Sequence, residues 1–151
     1  MDATITDTAL RLGAAVLGGM AIGINRDLTD KPIGMRTLAL VALGAAAITI
    51  ATVQFHDLVD DPHALSRVLQ GVIQGIMAGI GFLGAGVILR DVNAGEVHGL
   101  TTAASVCVTA ALGIVCGLAA WRVAGAILVF SLMLLVIVGW VEKKLHVKGK
   151  S

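Results

Sequence analysis

The sequence predicts an all-α integral membrane protein, a bundle of five transmembrane helices. The chain of 151 residues is 57% apolar and only 14% charged, where a soluble domain carries about a quarter of its residues charged. Its mean hydropathy is +0.93. Its charges are gathered between long uncharged stretches, as lipid demands, because a charge at a helix centre costs roughly 2.5–3.5 kcal/mol on insertion scales.

Five apolar runs reach the roughly 17–25 residues that cross a hydrocarbon core. They fall at about 9–25, 37–55, 68–89, 101–119 and 123–141. Only Arg122 and its neighbours separate the last two, which predicts a tight antiparallel hairpin. The first run follows Asp2 and Asp7 rather than a basic segment and has no clear cleavage site, so it reads as a retained helix. Residues 1–142 form one transmembrane domain in this reading, and 143–151 a basic cytoplasmic tail with no soluble C-terminal domain.

The bias of basic loop residues orients the bundle. Arg26, Lys31, Arg36, Arg90, Lys143, Lys144, Lys148 and Lys150 fall on one side, against Arg11, Arg67 and Arg122 on the other. The N-terminus is therefore expected outside and the C-terminus in the cytoplasm, with multi-pass insertion into the lipid bilayer.

Several function classes are disfavoured. The net charge of +1, the 3% aromatic content and the absence of Tyr give no footprint for nucleic acid. Cys107 and Cys116 share one helix about 13 Å apart, too far for a disulfide. No metal-spaced Cys/His cluster, phosphate-cradling loop or nucleophile elbow is present, so no catalytic residue is expected and the protein reads as a non-enzyme. His56 and His63 flank Asp57, Asp60 and Asp61 in the outer loop, whose carboxylate oxygens suit loose binding of a divalent cation such as Mg²⁺ or Ca²⁺. A solvated polar loop is the simpler reading, and no cofactor is assigned.

The 19 glycines fall into patterns. Gly19-x-x-x-Gly23, Gly71-x-x-x-Gly75-x-x-x-Gly79 and Gly113-x-x-x-Gly117 let helix backbones approach closely, inside one bundle or between copies. The third helix has the longest ridge and is the strongest candidate for a homo-oligomer face. Its run through Gly79, Gly81, Gly84 and Gly86 either packs closely or breaks the helix. The bulky stretch Ile127–Val138 places the fifth helix at the lipid-facing periphery, with Trp121 and Trp140 near the two interfaces.

The predicted topology brings Arg26, Asp27, Lys31, Arg36, Arg90 and His98 into one layer at the cytoplasmic side. Asp27, with Arg26, Arg36 and Arg90 as charge partners, fixes the helix ends or serves as an ion, proton or partner site. Lys31-Pro32-Ile33-Gly34 reads as a turn. Thr101 and Thr102 start the fourth helix, where a threonine can cap backbone N–H groups. Gln70 and Gln74 share one face of the third helix, and Thr102, Ser105 and Thr109 one face of the fourth. Both sets suit inter-helix hydrogen bonds but form no carboxylate relay.

Four segments carry a resemblance. Arg26-Asp27 followed by Lys31-Pro32-Ile33-Gly34-Met35-Arg36-Thr37, then Leu40-Val41-Ala42-Leu43-Gly44-Ala45, Gly79-Ile80-Gly81-Phe82-Leu83-Gly84-Ala85-Gly86-Val87-Ile88 and Val97-His98-Gly99-Leu100-Thr101-Thr102-Ala103-Ala104-Ser105 resemble, in order, the signature segments of the MgtC/SapB family of bacterial inner-membrane proteins. The resemblance implies about five helices and a link to growth in low Mg²⁺ and to virulence. It also implies a membrane-protein partner such as the F-type ATP synthase, while the family's Mg²⁺-transport label is disputed. Asp27 stands where glutamate is frequent in the family, and Cys107 where a bulky aromatic residue is common. The leading expectation is a non-enzymatic modulator of ion or pH homeostasis acting through membrane partners. The alternative is a transporter or channel for Mg²⁺ or another small solute.

Overall fold

The computed structural model describes residues 2–56, 62–91 and 99–139. Five helices follow in order: α1 (Asp2–Asp27), α2 (Met35–His56), α3 (Pro62–Asp91), α4 (Leu100–Gly117) and α5 (Trp121–Met133), the last continuing through a π-helical turn at Leu134–Val138. No strand occurs among the described residues. Each helix contains a span long and apolar enough to cross a membrane. The expected runs match these helices, though α1 and α3 extend several residues beyond them. The acidic loop at 57–61, His98, Trp140 and the basic tail lie outside the described residues, as do the side chains of His56 and Arg90.

The interior is built from small side chains. Ala15, Ile22, Leu38, Ala42, Ala46, Val106, Leu112, Cys116 and Ala124 form the buried cluster, drawn mainly from α1, α2 and α4. Large apolar residues such as Leu10, Leu17, Leu40, Val129 and Phe130 face outward. That inverts the soluble pattern, because lipid solvates leucine as well as a protein interior does and close backbone approach supplies the attraction. In α5 only Ala124 is buried, which agrees with its expected peripheral place.

Glycine makes the closest approaches possible. A Cβ at Gly19 would come 2.7 Å from the Leu38 carbonyl oxygen, and one at Gly23 would collide with the Met35 backbone. Farther along the same face of α2, a Cβ at Gly113 would collide with the Ala42 carbonyl and sit 2.9 Å from the Ala45 side chain. At Gly117 it would lie 2.8 Å from Thr49 Cβ. Two of the three glycine patterns therefore seat α1 and α4 along one face of α2, α1 toward its start and α4 toward its end.

Helices α1 and α4 end in the same way. Lys31 N–H donates to the Arg26 carbonyl and Asp30 N–H to that of Asp27, while Ala120 N–H donates to Val115 and Ala119 N–H to Cys116. These are Schellman closures, whose pivot must adopt the left-handed conformation. The pivots are Asp30 (φ 51°) and Ala119 (φ 55°), neither of them glycine. Alanine pays about 1–2 kcal/mol in that conformation. Ala119→Gly is therefore expected to stabilise the bundle by about 1 kcal/mol, read as a raised midpoint of thermal unfolding in detergent. An unchanged or lowered midpoint would count against the strain at this hairpin.

Candidate functional site

At the end of the bundle that carries the α1–α2 connection, two adjacent residues serve opposite helix ends. Arg26 lies in the last turn of α1, where a cation complements the exposed carbonyls. Asp27 turns the other way: its Oδ2 accepts the Met35 N–H at 3.0 Å, satisfying a donor in the first turn of α2. A carboxylate at that N-terminus also faces the positive end of the α2 dipole. Gly34 makes room for it, since a Cβ there would collide with the Asp27 carboxylate. Asp27 is thus a staple across the α1–α2 turn, where the sequence led us to expect a partner for Arg26, Arg36 and Arg90. Asp27→Ala should cost about 1 kcal/mol by loss of the cap. Asp27→Asn, which keeps an acceptor, should cost less in the same unfolding measurement.

Arg26 is only 2% exposed. Its Nη2 donates to the Thr102 hydroxyl on α4. Its Nε is buried without a hydrogen-bond partner, and among the described residues no carboxylate pairs with it. A desolvated guanidinium held by one neutral acceptor is costly to bury, by several kcal/mol. It joins α1 to α4 across the bundle, a contact the sequence did not foretell. An ion pair stands toward the opposite end of α1, where Arg11 meets Asp7 at 2.6 Å and donates to the Gly117 carbonyl at 3.0 Å.

Lys31 and Arg36 are exposed. Asp27, Gly34, Met35, Arg36 and Thr37 line an open depression of about 410 Å³. The fourth helix begins at Leu100 behind Gly99 (φ 87°), and no side chain caps it. Thr102 is buried as the acceptor for Arg26, and Thr101 is exposed in the same turn. Two of the α4 hydroxyls bond within their own helix: Ser105 donates to the Thr101 carbonyl and Thr109 to that of Ser105, each at 2.7 Å. Thr49 in α2 likewise donates to Ala45 at 2.8 Å. Such back-bonding is how a hydroxyl is satisfied without a neighbour.

On α3 the glycine run is a continuous helix through Pro62–Asp91, so the expected alternative of a broken helix is not realised. Gly84 approaches α4, with a Cβ there 3.4 Å from Ala103 Cβ. Gly71, Gly75, Gly79, Gly81 and Gly86 have open space where a side chain would stand. Gln70 and Gln74 are exposed on the same helix, with no hydrogen-bond partner among the described residues. An amide left unpaired in hydrocarbon costs roughly 4–8 kcal/mol relative to water. No group of three or more metal-ligating side chains occurs among the described residues.

Comparison with known proteins agrees with this architecture. The sequence profile of the MgtC family matches residues 12–144. The chain is 42% identical to the protein SrpB of Synechococcus elongatus over 120 residues, 76% of this chain and 65% of that protein. It is 35% identical to SapB of Bacillus subtilis over 146 residues, 92% and 60% of the two chains. It is 38% identical to MgtC of Salmonella typhimurium over 113 residues, 75% and 44%. The chain thus spans about half to two thirds of the length of these relatives. No solved structure matches. The matched region takes in most of the bundle, including the Arg26–Thr102 bridge and the Asp27 staple, and the chain is a multi-pass membrane protein that belongs to the MgtC/SapB family.

Proposed function

We propose that this protein is a non-enzymatic modulator of ion homeostasis, coupled to Mg²⁺ supply and pH. It sits in the bacterial inner membrane with its N-terminus outside and acts on other membrane proteins. The observation that supports this reading is the closure of the buried hydroxyls inside the bundle. Ser105, Thr109 and Thr49 each bond within their own helix, and Arg26 is spent on Thr102. A transporter needs a chain of exchangeable ligands across the bilayer, and charged groups at membrane depth pair with one another or line a cavity. Here the described polar side chains favour fastening helices over passing an ion. The depression beside Arg36 and Thr37 would face the cytoplasm, open to a partner.

Two measurements test this together. In a strain lacking its own copy, the intact protein should restore growth at limiting Mg²⁺, and Arg36→Glu should weaken the rescue with normal membrane levels. Purified protein in liposomes loaded with a Mg²⁺ indicator should give no flux above empty vesicles. Flux that Asp27→Ala abolishes would replace this reading with the transporter. Cysteine labelling of Arg36→Cys and Arg122→Cys in intact cells fixes the orientation, and labelling of Arg36→Cys from outside would overturn it.

A further inference from the structure

The start of α4 is left open. Ala103 N–H makes the first helical bond, onto the Gly99 carbonyl at 2.9 Å. The N–H groups of Leu100, Thr101 and Thr102 precede it and have no acceptor within the helix. Gly99 brings no side chain to receive them, no other side chain caps them, and the first turn holds no acidic residue. Such an end carries about half a positive charge. By itself it needs nothing more than water. The residue that reaches into it changes the case.

Arg26 enters that same turn from α1, where its Nη2 donates to the Thr102 hydroxyl. The side chain is 2% exposed, its Nε has no hydrogen-bond partner, and no carboxylate among the described residues pairs with it. The carbonyls at the end of α1 offset part of its charge, whereas the α4 dipole adds to it. Two positive poles therefore meet at one end of the bundle. A buried charge is screened far less than one in water, so each pole raises the potential at the other. Asp27, the neighbouring carboxylate in sequence, is committed to the Met35 N–H of α2. An anion is what both poles call for, and the approach is clear: Leu100 is 58% exposed, with Thr101 exposed beside it. The apolar span of α1 ends at Asp27 and that of α4 begins at Leu100. The place thus lies at the edge of the hydrocarbon, at the level of lipid headgroups.

We propose that the start of α4 binds a phosphate group. The N–H groups of Leu100 and Thr101 donate to its oxygens, and Arg26, behind Thr102, supplies the buried countercharge. Backbone N–H groups at a helix start, backed by the dipole, are a general means of holding phosphate. Its oxygens accept several donors at once, and its charge offsets both poles together. Free phosphate and a phospholipid headgroup offer the same chemistry. The site goes beyond the modulator reading above and does not depend on it.

Thermal unfolding tests it, using the full chain washed free of phospholipid in dodecyl maltoside micelles. In the first arm, inorganic phosphate at ten times its dissociation constant should raise the midpoint by about 3 °C over chloride of equal ionic strength. In the second, phosphatidylglycerol replaces inorganic phosphate in the micelles. A rise in the first arm alone assigns free phosphate, in the second alone the lipid headgroup, and in both the phosphate group common to them. Arg26→Met should raise the dissociation constant at least tenfold, and an unchanged constant would count against the buried countercharge. Thr101→Glu alters an exposed position and puts a carboxylate in the first turn. It should unfold at a higher temperature unaided and lose the response in both arms, while Thr101→Gln should keep it. No rise in either arm would overturn the proposal. So would a rise that Thr101→Glu retains, since the anion would then sit elsewhere. A response confined to Asp91→Asn/Glu96→Gln would overturn it too, by giving the place to the chain's own carboxylates.

Discussion

Gly113→Ala is expected to destabilise the bundle by about 3 kcal/mol, at the upper end of the range for overpacking a filled interior. The added methyl meets the Ala42 carbonyl and the Ala45 side chain. The first of these belongs to a helix backbone that cannot rotate out of the way. To admit the methyl, α4 must lift from α2, and the loss spreads to Gly117 at the next contact. Chemical unfolding in mixed micelles gives the comparison. Gly44→Ala and Gly125→Ala occupy open space and should leave stability unchanged or slightly raised, since alanine is the better helix former by roughly 1 kcal/mol. Equal costs at Gly113 and Gly44 would refute the close seating of α4 on α2.

Thr102→Val is expected to cost about 2–3 kcal/mol, although it changes shape hardly at all. The substitution removes the one described acceptor of the Arg26 side chain and leaves a buried cation facing a methyl group. Stranding a buried donor costs roughly 1–3 kcal/mol, and more when the group is charged. Thr102→Ser, which keeps the hydroxyl, should recover most of the loss. Arg26→Met gives the complementary result. With the charge gone, Thr102→Val in that background should cost far less, and the double-mutant cycle should show a coupling of about 1.5–3 kcal/mol. Additive effects would mean that the bridge does not hold α1 to α4.

Different parts of this architecture were legible to different degrees. The five helices could be read because lipid leaves few choices: a span must be long, apolar and internally hydrogen-bonded. The place of Arg26 and Asp27 at one end of the bundle followed from the same pattern. Their roles did not. Sequence proximity and opposite charge pointed to an Arg26–Asp27 unit, yet the turn geometry aims Asp27 at the Met35 N–H, eight residues ahead, and sends Arg26 to α4. Spacing could not separate the packed glycines from the bare ones, because it states which residues share a face but not what lies opposite. The Schellman pivots escaped notice because neither Asp30 nor Ala119 is the glycine that usually marks such an end. Arg90 could be placed only by its backbone, at the end of α3, and His98 lies outside the described residues.

The placement of Gly113 and Gly117 against α2 also bears on how the chain is made. Helix α2 is synthesised well before α4, and α3 enters the membrane between them. At roughly 5–20 residues per second during synthesis, the later part of the α2 packing face waits several seconds for its permanent neighbour. During that interval α3 stands closer in time but carries no glycine that seats against the α2 backbone. The nascent chain must then let α4 pass into the gap and leave α3 at the margin. Assembly in the bilayer is therefore a matter of holding a vacancy open until its rightful occupant arrives.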